Sequence, residues 1–233
     1  MAPKSINKQS AKKVLVIFYS FSGQTGGLLH SLVSGLKGNG IDVTTEKIRT
    51  VNPLRFPVGS IFGTFKMMLT TFFRQRVPVK TPETLDASQF DLVILAGPTW
   101  SYNPSGPVLA LLDNYGKKLL ANKTVLPLIS CRGYWRMHWF GLKKILEKCG
   151  ANIPNQIVFS HPAAEPWRTI GVFLKIAGKA PERSSVVGRY YSRFGHSKEQ
   201  LSEAENFGRK IAQALKEEKP LQSLNFHTET ALP

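Results

Sequence analysis

Short apolar runs alternate with amphipathic stretches along most of this chain. Residues 14–19 are β-branched and aromatic, and the run is too short for an ordinary buried helix. Such a run is typical of a strand buried on both faces. Apolar residues then recur at helical spacing, at Leu28, Leu29, Leu32, Val33 and Leu36. The polar turn 20–25 lies between the two patterns, so a strand, a turn and a helix are predicted in direct succession.

Four further strands are predicted, at 41–48, 90–96, 124–130 and 156–160. Pro127 is a mild objection to the fourth of the five strands, because proline removes a donor from the hydrogen-bond ladder. Helices are predicted after the third strand, from Trp135 to Lys148, and from Ser197 as N-cap. The last helix has one apolar face, formed by Leu201, Ala204, Phe207, Ile211 and Leu215.

This alternation predicts an α/β fold, a doubly wound five-stranded parallel sheet of order 2-1-3-4-5 with helices on both faces. Right-handed crossovers place the loops after strands one, three and four at the same carboxyl edge. These loops are 20–25, 98–105 and 130–135. In this strand order they surround the switch point, where a ligand is expected.

The first of these loops has the chemistry of a phosphate site. A turn that opens onto a helix presents unpaired N–H groups and the positive end of the helix dipole. Ser20, Ser22 and Thr25 add hydroxyl groups, and Gly23 lets the backbone approach a ligand closely. The loop has no Lys or Arg and matches neither a Walker A loop nor G-x-G-x-x-G. Taken alone, it fits a phosphate site and a well-capped turn equally.

The totals predict one soluble domain. The 233 residues suit a single α/β domain at 12–217, with a basic, disordered arm at 1–11 and a tail at 218–233. No apolar run approaches the roughly 18 residues that span a bilayer, and no signal peptide is recognisable. The two cysteines suggest neither a disulfide framework nor a metal site, so a cytoplasmic location is expected.

The charge is unusual and is concentrated in two insertions. The chain carries a net charge of +16. Residues 49–80 contain six basic and no acidic side chains, and residues 165–195 contain six basic and two acidic ones. Both are also rich in aromatic and aliphatic residues and are predicted to be helical. Three alternatives stay open: an extra helical layer or homodimer interface, a lid over an apolar pocket, or a face for an anionic membrane surface. Nucleic acid is not expected, because a phosphate backbone cannot use the apolar stripe.

The motifs YSFSGQT, AGPTWSYNPSGP and ISCRGYW resemble, in this order, the three flavin-binding loops of the flavodoxin-like superfamily. That superfamily includes flavodoxins and FMN-dependent NAD(P)H:quinone-type reductases. The NPLRFP segment and the CRGYW to KCGAN run look like flavodoxin-like proteins assigned to dialkylresorcinol biosynthesis. A condensing activity is not carried over, because the chain has no thiolase-like Cys-His constellation.

The resemblance implies an FMN site. Its phosphate would be bound by Ser20, Ser22, Gly23, Gln24 and Thr25. Its ring would lie between two sets of residues, Pro98, Thr99, Trp100, Tyr102 and Asn103 on one side and Ser130, Cys131, Arg132, Gly133 and Tyr134 on the other. Trp100 and Tyr134 are the best stacking candidates.

Two side chains are weaker candidates for a catalytic role. Arg132 departs from the acidic surroundings of flavin in electron-transfer flavodoxins, and a cation there would favour two-electron chemistry. His138 could donate a proton, or it could be an ordinary packing histidine.

The leading hypothesis is an FMN-dependent oxidoreductase that takes hydride from NAD(P)H and reduces a quinone-like or other apolar aromatic acceptor. The alternatives are a non-enzymatic flavin-binding electron carrier that docks an acidic redox partner, and a cofactor-free scaffold at a membrane surface. Salt distinguishes the carrier, because steered docking weakens with ionic strength.

Overall fold

Five parallel strands form the sheet around which the chain folds, in a computed structural model that describes residues 11–231. The strands are β1 (Lys13–Phe18), β2 (Asp42–Lys47), β3 (Leu92–Trp100), β5 (Val125–Cys131) and β6 (Ile157–Ser160), with a two-residue strand β4 (Asn103–Pro104). The helices are α1 (Gln24–Lys37), α2 (Ile61–Phe72), α3 (Gly106–Leu120), α4 (Trp135–Lys148), α5 (Trp167–Ile176) and α6 (Lys198–Lys216). Short 3-10 turns occur at Pro181–Arg183, Val187–Arg189 and Leu221–Ser223.

The strand order is β2-β1-β3-β5-β6, which confirms the predicted doubly wound sheet. All neighbouring pairs of these five strands are parallel, and β4 folds back antiparallel on the end of β3. Pro127 lies within β5, opposite Leu95, so the predicted strand is confirmed despite the missing donor. The carboxyl ends of β1, β3 and β5 therefore lie side by side, as the crossover rule requires.

Two apolar layers cover the sheet. Helices α1 and α6 pack on one face, and α3 and α4 pack on the other. The α1–α6 contact is close because glycines meet there: a Cβ added to Gly208 would lie 2.1 Å from the carbonyl oxygen of Leu32. Ser197 caps α6 as predicted, in a capping box with Gln200.

The segment after α6 belongs to the domain, which corrects the predicted tail. Leu221, Phe226 and Ala231 are buried against the α1–α6 core layer. The Asn155 side-chain amide donates to the Leu224 carbonyl at 2.7 Å and holds the segment in place. The apolar side chains of Leu221, Phe226 and Ala231 cover core surface that would otherwise face water. The predicted arm at 1–11 lies outside the described residues, apart from its last position.

Both insertions contain helices, as predicted, and they lie over the carboxyl edge of the sheet. The Val58 N–H donates to the Ile176 carbonyl at 2.8 Å, and Phe56 stacks on Phe194 with ring centroids 5.6 Å apart. The insertions therefore contact each other. Their helices α2 and α5 lie over the loops, and we call this pair of helices the roof. None of the helices within residues 11–231 is long and apolar enough to cross a membrane.

Candidate functional site

Two small connected cavities lie where the loops after β1, β3 and β5 converge. We call the first the loop cavity; its volume is about 90 Å³, and residues from all three loops line it. The second, the hairpin cavity, also measures about 90 Å³ and lies between the β3–β4 turn and the loop after β5. They share the lining residues Met67, Thr99, Trp100, Arg132, Val172 and Ile176. Together they form a slot that is roofed by α2 and α5.

The loop after β1 has the geometry of an anion cradle. Gly23 adopts a left-handed conformation with φ 86° and directs the chain into α1 without a side-chain cap. Ser20 Oγ accepts the N–H of Gly26 at 3.2 Å. Among the described residues, no acceptor pairs with the N–H groups of 22–25. These free donors and the helix dipole suit a phosphate group.

The loop after β3 is a tight hairpin. Ser101 and Tyr102 both have positive φ, 44° and 69°, between Trp100 and Asn103, which pair across the turn. This backbone matches a type I′ turn, which non-glycine residues adopt at a cost. The turn is held by α2, because Ser101 Oγ donates to the Met68 carbonyl at 2.8 Å.

Asn103 links the hairpin to α2 and lines neither cavity, and its place beside the ring stays a prediction. Its amide donates to the Phe72 carbonyl at 3.0 Å, and its oxygen accepts from Arg74 Nε at 2.7 Å. The last carbonyls of a helix have no partner within the helix, so they attract such a donor. The hairpin and the roof are therefore fixed to each other.

The aromatic candidates occupy different parts of the slot. Trp100 is buried edge-on against Phe21, with ring centroids 5.4 Å apart, and lines both cavities. Tyr102 and Tyr134 make an edge contact at 5.6 Å and line the hairpin cavity only. Tyr134 is 54% exposed, so it lies at the mouth of the slot. Trp100 is thus the one of the two stacking candidates that lies inside.

The loop after β5 combines an inert thiol with a free cation. Burial raises the pKa of Cys131 to about 12, and its Sγ donates to the Phe159 carbonyl at 3.5 Å. The thiol therefore stays protonated at neutral pH and serves packing. Arg132 lines both cavities, and no carboxylate within residues 11–231 lies within 4.0 Å of its guanidinium.

His138 has the surroundings of a packing and positioning residue, which is one of the two interpretations that the sequence left open. It is buried and lines neither cavity, and its Nδ1 lies 2.7 Å from Thr99 Oγ1. Burial lowers its pKa to about 3, so the ring is neutral at physiological pH. Its contact orients Thr99, which does line the slot.

Two further histidines at this edge were missed from the sequence. His196 bonds Ser130 Oγ through Nε2 at 2.9 Å and Gln200 Oε1 through Nδ1 at 3.1 Å. The Gln200 amide donates to the carbonyls of Ser160 and Thr230, so its oxygen must accept from His196 Nδ1–H. His196 Nε2 then accepts from the Ser130 hydroxyl, and the loop is fixed.

His161 is the second, and it lines the loop cavity. It is buried against Tyr191, with centroids 5.0 Å apart, and its Nδ1 accepts the Ala163 N–H at 3.2 Å. Burial lowers its pKa to about 4, so the neutral ring carries its proton on Nε2. A contact with the backbone of Arg193 raises the pKa of His161 and so acts against the effect of burial. Among the described residues, however, Nε2 makes no hydrogen bond of normal geometry. Its position directly after β6 was the available signal, because parallel strands end at one edge.

The hydrogen-bond donors of the slot fit FMN, but the space beneath the roof is too small for it. Free amides at 22–25 and aromatic walls match a phosphate and a flat ring. However, ligand sites of this kind usually measure about 300 Å³ or more. Each cavity of the slot is much smaller, so a flavin would need α2 or α5 to move outward. The side chains that would yield are Phe56, Met67, Val172, Ile176 and Phe194.

A third and larger space, the helix cavity, lies beside the slot beneath α2. Its volume is about 570 Å³. Phe21, Met67 and Trp100 line both it and the loop cavity. Within the described part of the chain, no cluster of His, Cys, Asp or Glu could hold a metal ion.

Solved structures that share this fold include flavoproteins. Neither models of protein families nor curated proteins match the chain. A flavoprotein from Lactobacillus acidophilus, solved in complex with FMN, is 19% identical with a TM-score of 0.51; the match covers 64% of this chain and 93% of that one. A candidate flavoprotein from Bacteroides uniformis is 13% identical with a TM-score of 0.52, covering 70% and 98%. A candidate flavoprotein from Bacteroides eggerthii is 18% identical with a TM-score of 0.50, covering 72% and 99%. The chain therefore has the flavodoxin-like doubly wound fold that its loops predicted.

Proposed function

We propose that this chain is an FMN-dependent oxidoreductase that takes hydride from NAD(P)H and reduces a quinone-like or other apolar aromatic acceptor. The observation that carries the proposal is the cradle of free N–H groups at 22–25, which opens into an aromatic-walled slot at the switch point. The same fold is found in a protein solved with FMN. When bound, FMN would supply reversible two-electron chemistry.

The residues of the slot would have distinct tasks. The N–H groups of 22–25 and the Thr25 hydroxyl would bind the phosphate, and Trp100 would form one wall of the ring site. His161 would form part of the wall of the site beside the ring. Arg132, which has no paired carboxylate among the described residues, would stabilise negative charge that develops on the ring. The two roof helices would exclude water once the site closes.

Flavin retention tests the proposal. The purified chain is incubated with FMN and desalted, and absorbance at about 450 nm reports bound flavin. A Ser22→Glu/Thr25→Glu variant is expected to weaken FMN binding about a hundredfold, because carboxylates repel the phosphate. The matched control is Ser34→Glu/Thr45→Glu, two exposed positions that add the same charge elsewhere.

The outcomes separate cofactor binding from catalysis. A chain that stays colourless and does not quench FMN fluorescence overturns the proposal. With flavin retained, oxidation of NADH or NADPH in the presence of a small quinone tests the reaction itself. A flavin-loaded chain that consumes neither nucleotide is not this enzyme.

The charge of +16 favours one other candidate, an electron carrier that docks an acidic redox protein. Electron transfer by steered docking should fall steeply as salt is added, whereas turnover of a small neutral quinone should not. Measuring both rates across an ionic-strength series discriminates between the two functions.

A further inference from the structure

The helix cavity combines apolar walls with unpaired positive charge. Its apolar lining consists of Phe21, Leu54, Val58, Met67, Val77, Pro78 and Trp100. Three basic side chains line it as well, and no acidic residue does. A space of about 570 Å³ is large enough for a small organic molecule.

The three cations are not equivalent. Arg76 Nε donates to Asp113 at 2.7 Å, so its charge is already paired. Arg55 and Lys66 have no carboxylate within 4.0 Å among residues 11–231, and both are exposed on their outer sides. An anionic group at this end of the cavity would meet two uncompensated positive charges.

We infer that the helix cavity binds an organic carboxylate with a bulky apolar body. The body would lie among Phe21, Val58 and Val77, and the carboxylate would contact Arg55 and Lys66. Because Met67 and Trp100 also line the loop cavity, the ligand would lie one layer of side chains from the slot. Resting on the proposed function, this assigns the acceptor an acidic group in addition to its apolar ring.

Binding is measured calorimetrically on the full chain without flavin, with decanoate and its neutral partner 1-decanol. Decanoate is expected to bind more tightly. An Arg55→Gln/Lys66→Gln variant should weaken decanoate binding about tenfold and leave 1-decanol unchanged, since it removes only the charge-assisted contacts. The matched control is Lys37→Gln/Lys118→Gln, which removes two exposed charges at the ends of α1 and α3.

A second variant tests the location. Thr70→Phe places a larger side chain in the cavity wall and should abolish binding of both probes. Equal affinity for the two probes, an equal loss in the control, or unchanged binding in Thr70→Phe would each overturn the assignment. Because no flavin is present, decanoate binding by a chain that fails to retain FMN removes the oxidoreductase proposal alone.

The outer face of α2 supports a second proposal, which shares Lys66 with the first but rests on a different surface. This helix is inverted relative to a soluble amphipathic helix, because its buried residues are Thr64 and Thr71. Its large apolar side chains are exposed instead: Ile61, Phe62, Phe65, Leu69 and Phe72, followed by Phe73. Phe62 is 79% exposed and Phe73 is 72% exposed, and such a patch marks an interaction surface.

We propose that this face binds an anionic lipid surface. Residues 49–80 have no acidic side chain, and Lys66 and Arg74 are exposed on α2 and directly after it. A two-fold contact through this face would bring together two basic surfaces with no acidic side chain from residues 49–80, whereas anionic lipid would neutralise the cations. Aromatic anchors with a basic flank are the two signals that give stable interfacial binding.

Vesicle cosedimentation tests this proposal, with phosphatidylcholine alone and mixed with phosphatidylglycerol. Binding to the anionic vesicles is expected to exceed binding to the neutral ones and to fall about tenfold in a Phe62→Ser/Phe65→Ser variant. The control Val186→Ser removes an exposed apolar side chain outside α2 and should bind as the parent does. Equal binding to both vesicles, or a dimer in solution that this double variant dissociates, would refute the lipid surface.

Discussion

The parallel sheet and the roof above it are built on opposite principles. In the sheet, Val14, Leu15, Val16 and Ile17 of β1 are almost completely buried, and α1 and α6 pack closely enough to require glycine. In the roof, α2 buries only two threonines and exposes its phenylalanines. The sheet therefore obtains its stability from its own interior, whereas the roof is held by a few hydrogen bonds and by aromatic contacts such as that of Phe56 with Phe194. A site that lies between the two has one rigid wall, the sheet with its packed helices, which we call the floor. Its other wall, the roof, can move.

The largest loss of unfolding free energy is expected from a change at the contact between α1 and α6. Gly208→Ala places a Cβ 2.1 Å from the Leu32 carbonyl oxygen, so the two helices must separate. The expected loss is about 3 kcal/mol or more of unfolding free energy. Urea denaturation measures it, with Gln213→Ala at an exposed position of the same helix as the control. An unchanged midpoint would show that the helices have room to adjust.

Acid should act on the buried histidines beneath the roof. The pKa values are lowered from 6.5 to about 3 at His138 and to about 4 at His161 and His196. Below pH 6.5 the unfolded chain takes up protons that the folded chain refuses, so stability falls as the pH falls. Between about pH 6.5 and 5, each histidine should cost up to about 2 kcal/mol.

Unfolding free energy measured across this pH range checks the effect before most carboxylates titrate. A His138→Gln variant should show a shallower decline than the parent. The control variant is His30→Gln, which changes an exposed histidine. A flat profile in the parent would contradict neutral buried rings.

The hydrogen bonds of Asn103 link the roof to the floor, and removing them should cost less unfolding free energy than the change at the α1–α6 contact. Asn103→Ala removes the donors to the Phe72 and Thr71 carbonyls and the acceptor of Arg74. We expect a loss of about 1–2 kcal/mol and faster amide exchange in α2, with exchange in β1 unchanged. Hydrogen exchange read by mass spectrometry resolves the two regions. If β1 and α2 accelerate together, the roof is not a separate unit.

The smallest effect on stability is expected on the outer face of the roof. Phe62→Ser should change the unfolding free energy by less than about 0.5 kcal/mol, because this side chain is 79% exposed. Thermal unfolding in lipid-free buffer measures it. A loss as large as that of Asn103→Ala would mean that Phe62 packs against another part of the protein.

The sequence predicted the floor well because its signals are local or periodic. The strand 14–19, the turn 20–25 and the cap at Ser197 each follow from neighbouring residues, and the crossover rule then places the loops. Pro127 was a fair objection, but the structure has it within β5, opposite Leu95. Helices in the insertions were also predictable, but their contacts were not.

Other features depend on the direction of a side chain, which no sequence pattern encodes. Asn103 turns toward the carbonyls of α2, and His138 turns inward to Thr99. Phe226 is buried because of a surface that the rest of the fold creates. His161 was overlooked because the end of β6 was not counted with the other loops. These outcomes are tertiary, and only the packed chain reveals them.

The Gln200 side chain has a consequence for how the protein is made. Its amide donates to Ser160 and to Thr230, and its oxygen holds His196 against the loop that begins at Ser130. Synthesis proceeds from the N-terminus, so residues 20–25 leave the ribosome well before these partners are made. A nascent chain could thus complete its sheet before the hydrogen bond between Ser130 and His196 holds the loop after β5 in place. The site becomes whole only when the last segment has docked.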